Sequence, residues 1–172
     1  MELQDIYDKN GKKTGKIIER GKEATQPGEY TLFVDIWIMN KKNEFLISKR
    51  APGKWRAGKW ESIAGGSISG EDSLTAALRE ANEELGIALK PENGKMINRL
   101  FKNDGNPKDG GMILDVWFFR QDIDINDIVF QPNETDGAMW ATTEDILQLV
   151  DNDSFLFNER EPYEELFKQF GL

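Results

Sequence analysis

The 172-residue chain contains no cysteine and no histidine. Without cysteine it can form neither a disulfide framework nor a thiolate zinc site, and it has no cysteine nucleophile. Without histidine it lacks the commonest general base and the commonest imidazole metal ligand. Any acid–base chemistry in this protein must therefore be carried out by carboxylates, lysine or tyrosine.

Positive charge is also scarce, because 22 lysine and arginine residues face 31 acidic residues and give a net charge of −9. This balance disfavours a nucleic-acid polymer or an anionic membrane surface as partner, although a bound cation could still attract a small phosphorylated ligand. No apolar run approaches membrane length, and residues 1–10 lack the features of a signal peptide. We expect a cytoplasmic protein with one domain over residues 1–172, either a monomer or a homodimer.

The pattern of apolar residues predicts a mixture of strands and helices. Asn10-Gly11 favours a tight turn, so residues 3–18 are predicted to form an N-terminal β-hairpin. Further strands are predicted at 30–39, 44–49, 60–64, 95–101, 113–119, 125–130 and 138–141. Helices are predicted at 144–150, capped by Thr143, and at 162–170. The polar segment 102–111 is predicted to be a mobile lid, and the whole pattern indicates a layered α/β fold.

The most informative stretch is residues 65–87, which read GGSISGEDSLTAALREANEELGI. At helical spacing, an apolar stripe falls beside an acidic stripe made of Glu80, Glu83 and Glu84. Like charges at this spacing destabilise a bare helix, whereas a hard divalent cation binds carboxylate oxygens and reverses that effect. A solvated acidic surface would give the same three glutamates, so their spacing alone leaves both interpretations open.

The complete spacing is more specific than the glutamates alone. Gly65 is followed by five residues and Glu71, then by seven residues and the segment Arg79-Glu80-Ala81-Asn82-Glu83-Glu84-Leu85-Gly86-Ile87. This arrangement resembles the signature of the Nudix hydrolases at every fixed position, with Ala81 as a small residue in the apolar position. The resemblance implies a Nudix-type α/β/α sandwich around a mixed β-sheet.

The resemblance also implies a site for Mg²⁺ or Mn²⁺. The residues that match the metal ligands of the family are Glu80, Glu83, Glu84 and the Gly65 carbonyl. Arg79 would hold the carboxylates in place, for example by pairing with Glu83. A further carboxylate is expected from Glu134, six residues before Trp140, unless Glu134 is an ordinary loop residue. The catalytic set predicted in this way is Glu84, Glu83, Glu80, Arg79 and Glu134, although the glutamate that accepts the proton is left open.

Two other sets of residues are candidates for substrate binding. Lys49, Arg50 and Lys54 form a basic cluster shortly before the glycine-rich turn, where they could bind phosphate or form a solvated loop. Strands 30–39 and 113–119 each have one apolar row and one mixed row. The mixed rows could line a common cleft, or they could simply pack under a helix. The polar and aromatic residues in question are Asp35, Trp37, Asp115 and Trp117.

Outside the signature, the chain is similar to the branch of Nudix proteins that includes isopentenyl-diphosphate isomerase. The shared segments, which with the signature cover about residues 6–90, include Lys49-Arg50-Ala51 and Gly58-Lys59-Trp60. Those isomerases depend on a cysteine immediately before the signature glycine and on metal-binding histidines. Here that position is Ala64, and the chain has no histidine.

These departures favour hydrolysis over isomerisation. The sequence predicts a Mg²⁺- or Mn²⁺-dependent pyrophosphohydrolase, in which water attacks phosphorus in a small nucleoside diphosphate derivative or a related metabolite. The alternative is a non-catalytic Nudix module that senses a phosphorylated ligand, and an isomerase is the least favoured alternative. The group attached to the diphosphate and the number of metal ions cannot be inferred from the sequence.

Overall fold

The computed structural model describes residues 2–103 and 110–172. The strands are β1 (Leu3–Tyr7), β2 (Lys13–Glu19), β3 (Tyr30–Met39), β4 (Phe45–Arg50), β5 (Trp60–Glu61), β6 (Ile63–Gly66), β7 (Gly94–Asn103), β8 (Gly111–Arg120) and β9 (Thr135–Ala141). The helices are α1 (Ser73–Leu85), α2 (Thr143–Asp151) and α3 (Arg160–Gln169), with short 3₁₀ turns at Pro91–Asn93 and Ile125–Asp127. In the part of the chain described, no helix is long and apolar enough to cross a membrane.

Strand β3 is the centre of one mixed sheet, which contains nine strands in the described ranges. It pairs in parallel with β8 along its whole length, from Tyr30 opposite Gly111 to Met39 opposite Arg120. On its other edge it pairs antiparallel with β4 near its end and with β6 near its middle. The chain that joins β4 to β6 includes β5, which pairs with β4, and residues 67–72 then lead from β6 into α1.

The two faces of the sheet carry separate cores. On one face, α1 packs its alanines and Leu85 against Val34, Ile36 and Ile38 of β3. On the other face, α2 and α3 cover an aromatic cluster around Trp37. Two helical layers therefore enclose one mixed sheet, and the predicted α/β/α sandwich with an N-terminal hairpin is confirmed.

Helix α1 begins and ends where its sequence contains suitable capping groups. The Asp72 side chain accepts a hydrogen bond from the Thr75 amide, which satisfies a free donor of the first turn. Gly86 adopts the left-handed conformation (φ 67°), and its amide bonds back to the last turn. These caps fix the start and end of α1, and so the direction in which the acidic stripe points.

Some predicted elements differ from the structure. The strand predicted at 125–130 is wrong, because this segment forms a 3₁₀ turn and then bonds to the end of α1 through the Val129 amide and the Leu85 carbonyl (3.0 Å). The predicted strand 60–64 is divided into β5 and β6, and Thr142 rather than Thr143 caps α2. Helix α3 begins at Arg160, before Pro162. Lys102 and Asn103 belong to β7, and residues 104–109 of the predicted lid lie outside the described ranges.

Candidate active site

Arg79 connects the acidic residues of the signature. Its guanidinium donates to Glu71 (2.7 Å), to Glu80 (2.9 Å) and to Glu83 (2.8 Å), and also to the Gly66 carbonyl (2.8 Å). Burial opposes its charge, but these carboxylates raise the pKa of Arg79 above its ordinary value. Arg79 therefore holds the glycine-rich loop and the acidic stripe of α1 together, and its predicted pairing with Glu83 is present.

A second group of carboxylates surrounds Glu84, which is half-buried. Burial is the main cause that raises the pKa of Glu84 well above its ordinary value, and the charges of Glu61, Glu80 and Glu134 raise it further. In the described part of the chain no cation forms an ion pair with Glu84, in contrast to the other three. Glu84 is therefore the least compensated negative charge of the site.

Glu61 is the member of this group that sequence reasoning missed. It lies in the two-residue strand β5, is buried, and accepts two hydrogen bonds from Arg50 (2.8 and 2.7 Å). Burial raises the pKa of Glu61 despite this arginine. Its position four residues before Gly65 was the available signal, but a two-residue strand has no periodicity that would single it out.

The basic cluster lies against this acidic group. Arg50 pairs with Glu61, and the Lys54 ammonium pairs with Glu134, so both cations partly neutralise the site. Lys49 instead lies over the Trp60 ring, with its ammonium 5.9 Å from the ring centre. Arg50 and Lys54 thus lie at the acidic group, Lys49 lies beside them on β4, and phosphate binding by the three residues stays a prediction.

Gly65 lies directly against Glu80. A Cβ atom at residue 65 would overlap the Glu80 carboxyl group, so any other residue there would displace this carboxyl from its present position. Burial raises the pKa of Glu80, and Arg79 partly opposes that effect. The close approach places the backbone of β6 directly beside a carboxylate of α1.

The donor set fits Mg²⁺ or Mn²⁺, because these cations prefer oxygen ligands and the site contains several closely spaced carboxylates with one uncompensated member. Within residues 2–103 and 110–172, however, no group of three or more acidic side chains is already arranged to hold a metal ion. Arg79 holds Glu80 and Glu83, and Lys54 holds Glu134. A cation that binds here must therefore draw carboxylates away from these ion pairs.

A cavity of about 560 Å³ adjoins the acidic group on the sheet face covered by α3. Glu61, Asp35 and Ser62 line one side, and apolar residues such as Leu114, Val116 and Phe155 line much of the rest. Phe157 and Arg56 also line the cavity, and Arg56 lies 5.0 Å from the ring of the neighbouring Trp55, which is 63% exposed. The cavity thus offers both an apolar wall and polar groups next to the carboxylates.

Asp35 is the mixed-row residue that reaches this cavity. It accepts hydrogen bonds from the Ser62 hydroxyl and from the Trp37 indole (3.1 Å), and burial raises its pKa. Trp37 itself is buried, 1% exposed, among aromatic rings of the core. The structure therefore keeps Asp35 as a candidate for substrate contact and places Trp37 in the core beneath it.

The prediction of one cleft lined by both mixed rows is wrong. In the parallel pairing of β3 with β8, Val34 lies opposite Asp115 and Asp35 lies opposite Val116, so the two mixed rows face opposite sides of the sheet. Asp115 is fully buried in an ion pair with Arg99 (2.7 Å). Trp117 donates to Ser73 at the start of α1 (2.8 Å). Asp115 and Trp117 thus pack on the α1 face, away from the cavity.

Comparisons with known proteins agree with this architecture. The chain matches the NUDIX domain over residues 29–165. It is 33% identical to an uncharacterised Nudix hydrolase of Listeria monocytogenes, over 100% of this chain and 95% of that protein. A crystal structure of a Deinococcus radiodurans protein superposes with a TM-score of 0.71 at 23% identity, covering 95% of this chain and 98% of the other, which shows a shared fold.

A shorter match concerns the isomerase branch. The isopentenyl-diphosphate isomerase of Pectobacterium atrosepticum is 33% identical to this chain, but only over 50% of this chain and 49% of the isomerase. The matches to the NUDIX domain and to the Listeria protein cover much more of this chain than the match to the isomerase does. The glycine-rich turn and α1 also occupy the positions described above. The chain therefore belongs to the Nudix hydrolase family.

Proposed function

We propose that this protein is a Mg²⁺- or Mn²⁺-dependent pyrophosphohydrolase that cleaves the diphosphate of a small nucleoside diphosphate derivative or a related metabolite. The observation that carries the proposal is the crowding of Glu61, Glu80 and Glu134 around the uncompensated Glu84. Repulsion among these carboxylates lowers the stability of the fold, so stability does not explain why they are close together. Carboxylates with strongly shifted pKa values beside a cavity are typical of catalytic sites.

Glu80, Glu83, Glu84 and the Gly65 carbonyl would hold the cation, with Glu134 as a further ligand. When bound, the cation would neutralise phosphate oxygens and lower the pKa of a coordinated water. Arg79 positions Glu80 and Glu83 through its ion pairs, and Glu71 orients Arg79 in turn. Glu61 contributes negative charge from the sheet side of the same group.

Glu84 is our candidate for the proton acceptor. Unlike Glu61, Glu80 and Glu134, it forms no ion pair in the described part of the chain, so one of its oxygens could accept a proton while the other binds the cation. In this role its carboxylate oxygen takes the proton from the attacking water as the oxygen of that water bonds to phosphorus. The leaving phosphoryl oxygen departs on the opposite side.

The basic residues and the cavity would bind the remainder of the substrate. Lys49, Arg50 and Lys54 would supply positive charge for phosphate oxygens. Arg50 and Lys54 form ion pairs with site carboxylates, so their charges already lie where the diphosphate would bind. The cavity next to Glu61 would receive the group attached to the diphosphate. Asp35 on its wall would accept a hydrogen bond from that group or donate one when protonated.

Hydrolysis is favoured over isomerisation because residue 64 is alanine and the chain contains no thiol. The proposal is tested by incubating the purified protein with a panel of diphosphates and either Mg²⁺ or Mn²⁺, followed by product analysis. Glu84→Gln should lower turnover on the best substrate by about a hundredfold or more, as expected for a lost acid–base group. Glu144→Gln, which alters an exposed glutamate of α2, is the matched control and should retain normal turnover.

Three results would contradict the proposal. Near-normal turnover by the Glu84→Gln variant would remove Glu84 from catalysis. Metal-dependent binding of a diphosphate without any cleavage would indicate a sensing module. Exchange of solvent deuterium into isopentenyl diphosphate, catalysed by the purified protein, would indicate an isomerase.

A further inference from the structure

The N-terminal hairpin, residues 3–19, lies outside the segment 29–165 that matches the family. In the described ranges, β1 pairs with β3 at one position, Tyr7 opposite Tyr30, and then diverges from it. The signature loop, residues 66–71, fills the space between the two strands. The Ser67 amide donates to the Leu32 carbonyl of β3 (2.9 Å), and the Ser69 amide donates to the Leu3 carbonyl of β1 (2.7 Å).

Side chains of the hairpin add further bonds to the signature loop. Gln4 is buried and donates to the Ser67 carbonyl (3.4 Å). Lys13 of β2 donates to the Glu71 carbonyl (3.0 Å). The hairpin therefore contacts the loop at its beginning, middle and end, from both of its strands.

Asp5 makes the most extensive of these contacts. One carboxylate oxygen accepts from the Ser69 hydroxyl (2.8 Å), and the other accepts from the Gly70 amide (3.0 Å) and pairs with Lys13 (2.6 Å). Burial opposes the charge of Asp5, but the bonds from Lys13, Gly70 and Ser69 lower its pKa overall. Gly70 has a positive φ of 93°, so the carboxylate holds its amide in a backbone conformation that most residues avoid.

The end of the signature loop is connected to the acidic stripe. Glu71 accepts from the Ile68 amide within the loop (3.0 Å) and from the guanidinium of Arg79 on α1 (2.7 Å). Arg79 in turn holds Glu80 and Glu83. The conformation of the loop therefore determines where Glu71 holds Arg79, and Arg79 determines where the carboxylates of α1 lie.

We propose that Asp5 is a positioning residue for the active site, and that the hairpin aligns the signature loop and, through Glu71 and Arg79, the carboxylates of α1. This inference rests on the proposed function for its effect on cation binding. Partners that orient metal-binding residues commonly change metal affinity by about 10- to 100-fold when removed. We therefore expect Asp5 to influence the affinity for the cation, although it lies in the hairpin and not on α1.

The test compares Asp5→Ala with Asp8→Ala. Asp8 is a half-buried aspartate of the same hairpin, and its carboxylate accepts from the Asn10 amide (2.8 Å) and the Lys12 amide (3.0 Å) in the turn. Removing it loosens the hairpin turn and leaves the contacts with the loop in place. Asp5→Asn, which keeps the size of the side chain and loses its charge, provides a conservative variant with an intermediate effect.

Two measurements are made on each full-length variant. Hydrogen exchange of the Ser69 and Gly70 amides reports on the loop, and a Mg²⁺ titration followed by thermal melting reports on cation affinity. We expect Asp5→Ala to accelerate exchange at both amides by about tenfold or more. Its Mg²⁺ midpoint in the melting titration should rise about tenfold. Asp8→Ala should change neither quantity by more than about twofold.

The outcomes separate this inference from the proposed function. If Asp5→Ala and Asp8→Ala behave alike, or if exchange accelerates while the Mg²⁺ midpoint stays unchanged, the positioning role is refuted. If the wild type responds to neither Mg²⁺ nor any diphosphate, the proposed function fails. In that case the NMR resonance of the Arg79 side-chain N–H tests the inference. If the hairpin positions Arg79, this resonance shifts in Asp5→Ala and stays unchanged in Asp8→Ala. If it stays unchanged in both variants, the positioning role is refuted.

Discussion

Replacing Glu84 by glutamine should stabilise the metal-free protein, although it should abolish most of the activity. Glu84 is half-buried, has no ion-pair partner in the described part of the chain, and is repelled by Glu61, Glu80 and Glu134. A like-charge pair on a helix costs about 0.2–0.5 kcal/mol, and more where water is partly excluded. Removing three such repulsions should therefore contribute about 1 kcal/mol of stability, equivalent to about 2–4 °C in Tm for a chain of this size.

Glu83→Gln is the matched control, because Glu83 lies on the same stripe but pairs with Arg79 at 2.8 Å and is 48% exposed. Losing an exposed ion pair of this spacing costs about 0.3–0.5 kcal/mol. The two neutralising substitutions should thus move the metal-free Tm in opposite directions. A charge effect that depended only on the net charge of −9 would move both upward.

Adding Mg²⁺ or Mn²⁺ should make the wild type more stable than Glu84→Gln. A cation at about 100 times its dissociation constant stabilises the folded state by about 2.7 kcal/mol, so the Tm of the wild type should rise by several degrees. Glu84→Gln should gain much less from the same concentration. Thermal melts in a chelating buffer and in a cation series decide the matter. The assignment of Glu84 to a strained metal site is wrong if Glu84→Gln melts at a lower temperature than the wild type without metal. It is also wrong if the cation raises the Tm of the wild type and of Glu84→Gln equally.

Three further outcomes are expected. Asp35→Asn should raise KM for the preferred diphosphate by several-fold and change kcat less, since Asp35 lines the cavity; unchanged constants would exclude it from substrate contact. Without metal, stability should rise as the pH is lowered from neutral toward 4.5, the ordinary pKa of glutamate, because burial raises the pKa of Glu84 and Glu80 in the folded state, which then binds more protons than the unfolded chain; a melting temperature that falls steadily over this range would refute it. Gly65→Ala should destabilise the fold by about 1–3 kcal/mol by forcing the Glu80 carboxyl away, while Gly137→Ala, which meets only ordinary contacts, should cost less in a urea titration.

Local spacing was sufficient to predict α1 and its acidic stripe. The apolar and acidic positions of residues 74–85 repeat at helical intervals, and Asp72 and Gly86 supply the caps. The pairing of Arg79 with Glu83 follows from their separation by four residues. The hairpin and the α/β layering could be predicted for the same reason, since they depend on turns and periodicities within short segments.

Contacts between distant strands could not be predicted in this way. Glu61 reaches the site because β4 pairs with β5, which brings it to Arg50. Asp115 is on the opposite face from Asp35 because the parallel register offsets the two mixed rows by one residue, and a shift of one residue moves a side chain to the other face of the sheet. The segment 125–130 has the composition of a strand, but it forms a 3₁₀ turn and then bonds to the end of α1, a contact between distant segments that its own residues do not reveal.

The parallel pairing of β3 with β8 has a consequence for biosynthesis. The first of these strands ends at residue 39 and the second begins at residue 111, so the centre of the sheet cannot close until most of the chain has left the ribosome. Contacts between such distant segments form slowly, and unpaired strands are prone to aggregation while they wait. A nascent chain that stops short of residue 111 leaves one whole edge of β3 without its partner strand. The nascent chain should therefore bind chaperones more strongly before β8 has been synthesised than afterwards.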